Sequence, residues 1–314
     1  MKGEIMGVKD KFNLDESVGK GLAYNMGHHK DDGSVHLDGE LQYQVWETIN
    51  ALLAVQAADP DNTGFIDKAI EFLLKEQREE GSFYHEISHA PGHYCMETTP
   101  MGLMALAKAN VDIGKGTQFV LDKQMEDGSW EIGTPEITRR RFWPSITGFV
   151  LRFLLQQGID TPHIAKGIDY LLKTQQEDGS WGDNWIYYDT PYYPTYNIMP
   201  AFMLYGIESE AAYDKAASFI KANQKDDGSW DENIIDKPRP SDRLRTAMAL
   251  HSLLAAPRDS DIPAIEKGME WLLNAQEPDG HWYGGGWRHF PGKKENIYLT
   301  SVVVRTIKRY QELF

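Results

Sequence analysis

The chain alternates between two apolar patterns along its length. In the first, apolar residues recur at positions i, i+3, i+4 and i+7, as around Phe119 and Val120 or Tyr170 and Leu171. This spacing predicts an amphipathic helix with one buried stripe. The second pattern, as in residues 144–155, is apolar on most sides of a helix and predicts burial on most sides. We therefore expect amphipathic helices outside and apolar helices inside.

A glycine turn follows each amphipathic helix and precedes an apolar one. The turn glycines, spaced 47 to 52 residues apart, are Gly33, Gly81, Gly128, Gly179, Gly228 and Gly280. Glycine supplies the positive φ that such a turn needs. Six repeats of two helices predict an all-α fold, an (α/α)6 barrel with twelve helices in two concentric rings. We found no linker, so we expect residues 1–314 to form one domain.

Composition excludes several classes of protein. The chain has 32 Lys+Arg against 47 Asp+Glu, a net charge of −15, which argues against nucleic acid as a partner. A single cysteine excludes a disulfide framework. No apolar run is long enough for a transmembrane helix, and no secretory signal begins the chain, so we expect a cytoplasmic protein. Nothing in the composition indicates an oligomeric state.

The repeat itself has a recognisable signature. The pattern Lys-Gly-x-x-aromatic-aliphatic-x-x-x-Gln-x-x-x-Gly-Ser-Trp closely resembles the QW repeat of squalene and terpene cyclases. Its tryptophans are Trp130, Trp181, Trp230 and Trp282, while Val35 and Phe83 replace tryptophan in the first two copies. Residues 289–299 and 245–250 are also similar to elements of those enzymes. The resemblance implies an α/α barrel like one barrel of the two-barrel cyclases, and we expect the tryptophans to be scaffold.

A candidate acid comes from this resemblance. Class II terpene cyclases protonate their substrate with the middle Asp of an Asp-x-Asp-Asp motif, which this sequence lacks. Counting back from Thr99, Glu97 takes the place of the proton donor. A lone carboxyl group in an apolar barrel stays neutral and can donate a proton. His93 would lie on the same helical face as Glu97 if the helix extends that far. Glu47 is a further candidate acid, and a structural role for Glu97 stays open.

Two groups of residues are candidates for binding the substrate. Aromatic faces stabilise carbocations, and an isoprenoid needs an apolar site. The candidate lining consists of Trp46, Tyr94, Cys95, Phe142, Trp143, Tyr188, Tyr192, Tyr193, Tyr196, Phe290 and Tyr298. A basic rim that would suit a diphosphate, if the substrate carries one, consists of Arg141, Arg243, Arg245 and Lys293. Core packing and ordinary surface charge are the alternatives.

The sequence gives no strong metal motif. The magnesium-binding Asp-Asp-x-x-Asp motif of ionising synthases is absent, and Leu299 stands where prenyltransferases place a zinc-binding histidine. We therefore expect no metal and no cofactor. The alternatives are Mg²⁺ with a diphosphate substrate, or Zn²⁺ at His85, His89, His93 and Cys95.

The leading functional interpretation is a terpene cyclase or isomerase that protonates an alkene of an isoprenoid substrate. One alternative is a non-catalytic barrel that binds a hydrophobic isoprenoid. Another is a prenyltransferase with an atypical metal site.

Overall fold

The computed structural model describes residues 7–85, 93–133, 143–181, 190–207, 210–230, 242–283 and 296–314. These residues form thirteen α-helices and one 3-10 helix, Leu41–Tyr43. The α-helices are α1 Val8–Lys11, α2 Leu14–Gly27, α3 Gln44–Ala58, α4 Thr63–Glu76, α5 Thr98–Lys108, α6 Gly114–Asp122, α7 Trp143–Gln156, α8 Pro162–Thr174, α9 Tyr192–Tyr205, α10 Ala211–Ala222, α11 Asp242–Leu253, α12 Ile262–Asn274 and α13 Asn296–Leu313. The described part contains no β-strand, so the predicted all-α class is confirmed.

Six helices form a closed inner ring. Helices α3, α5, α7, α9, α11 and α13 each contact the next one, and α13 contacts α3. The even-numbered helices α2 to α12 lie outside and pack on the inner ring. The inner helices are buried on most sides, whereas the outer ones bury a single stripe, as their patterns predict. The four-residue helix α1 is additional to the twelve predicted helices and contacts α12.

The six predicted turns are equivalent. All six turn glycines have φ between +92° and +99°, a region that residues with a side chain rarely adopt. A Cβ atom at Gly228 would lie 2.5 Å from the carbonyl oxygen of Lys267, on the next outer helix. At the last turn, a Cβ atom at Gly280 would lie 2.4 Å from the carbonyl oxygen of Lys20 in α2. Each turn therefore presses on the following outer helix, and the sixth turn closes the ring onto the first.

Side chains of the repeat fasten these turns. The indole Nε1 of Trp230 donates to the Ile220 carbonyl (2.7 Å), and its backbone N–H donates to Oγ1 of Thr246 (3.0 Å). The Gln224 amide donates to the carbonyls of Gly228 and Ala264, at 3.0 and 2.9 Å. Fully buried and bonded to backbone, this tryptophan is part of the scaffold.

The threonine contact recurs and sets the register of the inner ring. In five of the six repeats, the residue after the Gly-Ser or Gly-His step donates its backbone N–H to a threonine of the following inner helix. These threonines are Thr48, Thr99, Thr147, Thr246 and Thr300. Positions counted from them are equivalent in five of the six inner helices. Within the described part of the chain, no helix has the length and hydropathy needed to cross a bilayer.

Candidate active site

Glu97 lies at the amino-terminal end of α5, immediately before the helix begins, and its side chain is fully buried. The hydroxyl of Tyr193, on α9, donates a hydrogen bond to its Oε1. The Tyr193 ring lies 5.8 Å from that of Phe149 on the intervening helix α7. A buried carboxyl group thus faces an aromatic interior and is held by a phenol.

The backbone around Glu97 is fixed from two sides. The Cys95 amide donates to the Phe83 carbonyl (2.9 Å), and the Met96 amide donates to the Ile132 carbonyl (2.8 Å). The Thr99 hydroxyl accepts from the Phe83 amide at 2.9 Å. These bonds join the segment before α5 to the turns of its own repeat and the next one. They hold the carboxyl group in place without a helical turn beneath it.

His93 is not on a helical face shared with Glu97, so that expectation is wrong. Helix α5 begins only at Thr98, and the preceding Cys95 and Met96 amides form the inter-turn bonds described above. Tyr94 is a second correction. Its ring packs on Phe119 of the outer helix α6 (5.0 Å), with the Lys123 ammonium 4.9 Å from the ring centre. Consecutive residues of this non-helical segment point in different directions, so Cys95 faces inward and Tyr94 outward.

A potential metal-binding cluster surrounds the carboxyl group. Ligand atoms of His85, Cys95 and Glu97 all lie within 4.8 Å of one another, and all three residues are buried. Burial, followed by the nearby Glu97 carboxylate, raises the pKa of the Cys95 thiol to about 12. Imidazole, thiolate and carboxylate are all ligands that zinc accepts. The described part of the chain thus brings together His85 and Cys95 from the predicted zinc set. His89 lies outside it.

Two predicted lining residues lie beside this cluster. The Trp46 ring lies 5.0 Å from His85 and 5.1 Å from Tyr298. Trp46 and Tyr298 each stand two residues before a register threonine, the same position that Glu97 holds in α5. They therefore share a layer of the barrel with the candidate acid. Glu47, one residue further along, is fully buried. It lies near Tyr24 of α2, whose pKa is raised by burial and by carboxylates that include Glu47.

The tyrosines of α9 divide between two faces. The Tyr196 ring lies 6.4 Å from Phe149 and 4.9 Å from His251, both on inner helices. The Tyr192 ring lies 6.1 Å from Phe219 of the outer helix α10. Tyr196 thus faces the inner helices, whereas Tyr192, the first residue of α9, packs against the outer ring. Sequence reasoning placed Tyr193 among the lining aromatics but missed its bond to Glu97.

The predicted basic rim is only partly described. Arg245 is buried on α11. Arg243 extends toward the last repeat turn, with Nε 3.4 Å from the Ala275 carbonyl and Nη2 3.5 Å from Glu277. The remaining predicted residues lie outside the described part, namely Arg141, Phe142, Tyr188, Phe290 and Lys293, together with the Trp143 side chain.

Comparisons with known proteins agree with this architecture. The family model of the squalene-hopene cyclase C-terminal domain matches residues 143–307. The squalene–hopene cyclase of Zymomonas mobilis subsp. mobilis is 34% identical over 142 residues, which are 41% of this chain and 21% of that enzyme. That of Bradyrhizobium diazoefficiens is 33% identical over 203 residues, 54% of this chain and 29% of that enzyme. The matches thus span less than a third of these two relatives.

Solved structures share the whole fold. The type II terpene cyclase MstE from Scytonema superposes with a TM-score of 0.75 at 16% identity, covering 96% of this chain and 99% of that one. Its R337A variant was solved with the substrate geranylgeranyl dihydroxybenzoate. The superposition on this variant has a TM-score of 0.73 at 17% identity and covers 98% of the variant's chain. At these identities the likeness shows the fold alone. The family match spans more than half of the sequence, and the chain therefore belongs to the squalene-hopene cyclase family as a class II terpene cyclase-like protein.

Proposed function

We propose that the protein is a cyclase or isomerase of isoprenoid substrates and that Glu97 donates the proton that starts the reaction. The observation that carries this proposal is the burial of Glu97 in the register of the family's acid, with the Tyr193 hydroxyl bound to its Oε1. The rings of Trp46, Phe149 and Tyr196 supply faces that stabilise positive charge as it moves along the substrate.

The proton balance of this step is simple. The O–H bond of Glu97 breaks while a substrate alkene uses its π electrons to form a new C–H bond. The products are a tertiary carbocation and the Glu97 carboxylate. Other double bonds of the chain then attack the cation to close rings. Loss of a proton or capture of water ends the reaction without any redox change.

Tyr193 supports this chemistry because its hydrogen bond is stronger to the carboxylate than to the carboxylic acid. A hydrogen bond to a charged group contributes about 1.5–3 kcal/mol. It therefore lowers the cost of leaving Glu97 ionised after proton transfer. The family's tetrad has further carboxyl groups where this chain has Cys95 and Thr98. We accordingly expect slower turnover, or a substrate with an alkene that is easier to protonate.

The decisive experiment compares Glu97→Gln with Glu47→Gln. Both variants replace a fully buried carboxyl group by an amide of nearly the same shape. We expect Glu97→Gln to abolish conversion of a polyprenyl panel, including squalene and geranylgeranyl dihydroxybenzoate, while ligand binding and melting temperature stay near those of the wild type. Glu47→Gln should keep turnover. Full activity of Glu97→Gln would refute the assignment, and binding without turnover in the wild type would favour a non-catalytic barrel.

A second candidate, a zinc-dependent reaction such as prenyl transfer, is favoured by the cluster of His85, Cys95 and Glu97. Three protein ligands with an open fourth position are typical of catalytic zinc. Cys95→Ala separates the two candidates because it removes a ligand while retaining the carboxyl group. Unchanged turnover in Cys95→Ala and in the presence of chelators supports the acid. Stoichiometric zinc that is lost in Cys95→Ala, together with activity, supports the metal centre.

A further inference from the structure

Three basic side chains occupy one layer of the inner ring, deeper in the barrel than Glu97. Arg152 on α7, His251 on α11 and Arg305 on α13 each stand five residues after a register threonine. The equivalent positions on α3 and α5 hold Leu53 and Met104. Glu97 lies seven positions before Met104, which corresponds to about 10 Å along the helix axis at 1.5 Å per residue.

Tyr196 connects the three basic residues near the centre of the ring. Its hydroxyl lies 3.3 Å from Nη2 of Arg305, which also reaches Oδ1 of Asn50 at 3.3 Å. The Arg152 guanidinium carbon is 5.9 Å from the Tyr196 ring centre, and the His251 ring is 4.9 Å away. Side chains from α7, α9, α11 and α13 therefore converge on one place. Asn50 adds a polar group from α3.

The charge of this cluster is incompletely balanced. Burial, followed by repulsion from Arg152, Arg305 and Arg309, holds the pKa of His251 well below its usual range. Burial and the positive charge of Arg305 lower the pKa of Arg152. Lys108, at the end of α5, also has its pKa lowered by burial and by Arg305 and Arg152. Arg152, Arg305 and Lys108 therefore lie close enough to repel one another, although the chain as a whole has a net charge of −15.

Carboxylates do little to offset this repulsion within the described residues. Glu312 raises the pKa of Lys108, but it pairs with Arg309 at 3.1 Å. Arg309 in turn donates to the carbonyls of Leu254 and Ala255 at the end of α11, which is an ordinary role for a cation near a helix carboxyl end. Arg152 differs from Arg309. Its Nε is buried and has no hydrogen-bond partner among the described residues.

A buried cation without a counter-ion destabilises a fold, because it loses its hydration without gaining an equivalent partner. Two guanidinium groups beside the same phenol are suitable partners for a carboxylate or phosphate, whose oxygens accept charge-assisted hydrogen bonds. Arg152 and Arg305 each keep part of their surface exposed, which leaves room for an anion to approach them.

We propose that Arg152 and Arg305, together with Tyr196, bind the anionic end group of the substrate, a carboxylate or a phosphate. The hydrocarbon chain would then extend along the barrel past Phe149 toward Glu97. This assignment rests on the proposed function for the isoprenoid part of the ligand but not for the anionic part. It places the anion deeper in the barrel than the rim residues Arg243 and Arg245.

Binding measurements without turnover test this proposal. The probes are geranylgeranoic acid, geranylgeranyl monophosphate, the neutral alcohol geranylgeraniol and inorganic phosphate, each titrated into the full chain by calorimetry. We expect at least one of the two anionic lipids to bind at least about tenfold tighter than the alcohol, as for a gained charge-assisted contact. Whether the acid or the monophosphate is preferred identifies the end group. Equal affinity for the alcohol and both anionic lipids would overturn the proposal, as would tight binding of inorganic phosphate alone.

Variants of the two arginines test whether these residues cause the preference for the anionic lipid. Arg152→Met and Arg305→Met should each remove the preference for the anionic lipid while leaving alcohol binding unchanged. Lys173→Met, on the exposed face of α8, makes the same change in net charge and should have no effect. Arg152→Met should melt at or above the wild-type temperature, because it removes a cation that lacks a counter-ion. A preserved lipid preference in both arginine variants would refute the assignment. If either variant fails to fold, Arg152→Lys and Arg305→Lys should bind the anionic lipid more weakly than the wild type.

The outcome is independent of the catalytic assignment. Glu97→Gln should keep the preference for the anionic lipid, because Glu97 lies in a different layer. Loss of the preference in Glu97→Gln would contradict the separation of the two sites. Turnover without any preference for the anionic lipid would be consistent with Glu97 as the acid but would refute the anion site at Arg152 and Arg305.

Discussion

The hydroxyl of Tyr193 reaches the carboxyl group of Glu97 across 96 residues of sequence, from α9 to α5, with α7 between them. The two residues belong to inner helices that are not neighbours in the ring. Their contact therefore depends on the ring being closed to its native diameter. It joins the amino-terminal half of the barrel, which holds the candidate acid, to the half that the family model matches.

Tyr193→Phe removes this hydrogen bond while keeping the ring. We expect turnover to fall roughly 10- to 100-fold, because a hydrogen bond to a charged group is lost in the step that ionises Glu97. Michaelis kinetics on a substrate that the wild type converts provide the measurement. Tyr192→Phe, which alters the adjacent residue facing α10, should keep near wild-type rates. Equal rates for all three proteins would show that Tyr193 does not support the acid.

The repeat tryptophans should affect stability rather than chemistry. Trp230→Ala should lower the free energy of unfolding by about 3–5 kcal/mol, since it empties a fully buried site. Trp230→Phe should cost less, because Phe83 occupies the equivalent position in the second repeat. Urea denaturation measures both. A catalytic role would instead appear as lost turnover with an unchanged denaturation midpoint.

The turn glycines should tolerate no side chain. Gly228→Ala would place a Cβ atom 2.5 Å from the Lys267 carbonyl oxygen at a φ of +99°. We expect a loss of at least about 2 kcal/mol, of which about 1–2 kcal/mol comes from the left-handed backbone. Gly64→Ala is the matched control, because no heavy atom lies within 4 Å of its Cβ position on α4. Comparable melting of the two variants would contradict this view of the turn.

Stability should depend on pH through His251. Burial and three arginines hold its pKa well below the usual value, so the folded protein keeps it neutral. Below about pH 6.5 the unfolded chain takes up a proton that the folded chain does not, and stability falls as the pH falls. Wild type should therefore lose more stability than His251→Gln between pH 7.5 and 5.5 in urea titrations. Parallel curves for the two proteins would argue against this assignment.

Local signals predicted the fold, because each repeat carries its own turn glycine and its own apolar pattern. The buried position of Glu97 could also be predicted from the sequence, since Thr99 fixes its register in a single helix. Its partner Tyr193 was not, because that contact depends on how α5, α7 and α9 close around the interior. Helix α5 begins after His93, so the condition for placing His93 on the helical face of Glu97 is not met.

The layer formed by Arg152, His251 and Arg305 was missed by the sequence analysis for a different reason. Arg152 stands inside an otherwise apolar helix, and Arg305 directly follows the apolar run of residues 302–304; a charged residue in such a setting is itself a signal. Their convergence with His251 becomes visible only once the register threonines make the three positions equivalent. The predicted single domain over residues 1–314 and the predicted basic rim stay predictions.

The closure of the ring has a consequence for how the molecule comes apart. Gln276 donates to the Ser17 carbonyl at 2.9 Å, so the last repeat holds the first by the same kind of bond that joins Gln224 to Ala264. An open solenoid can fray from its terminal repeats and needs capping repeats to shield them. A closed ring has no terminal repeat, and melting any one hairpin would expose two apolar faces at once. The barrel should therefore unfold in a single cooperative transition rather than repeat by repeat.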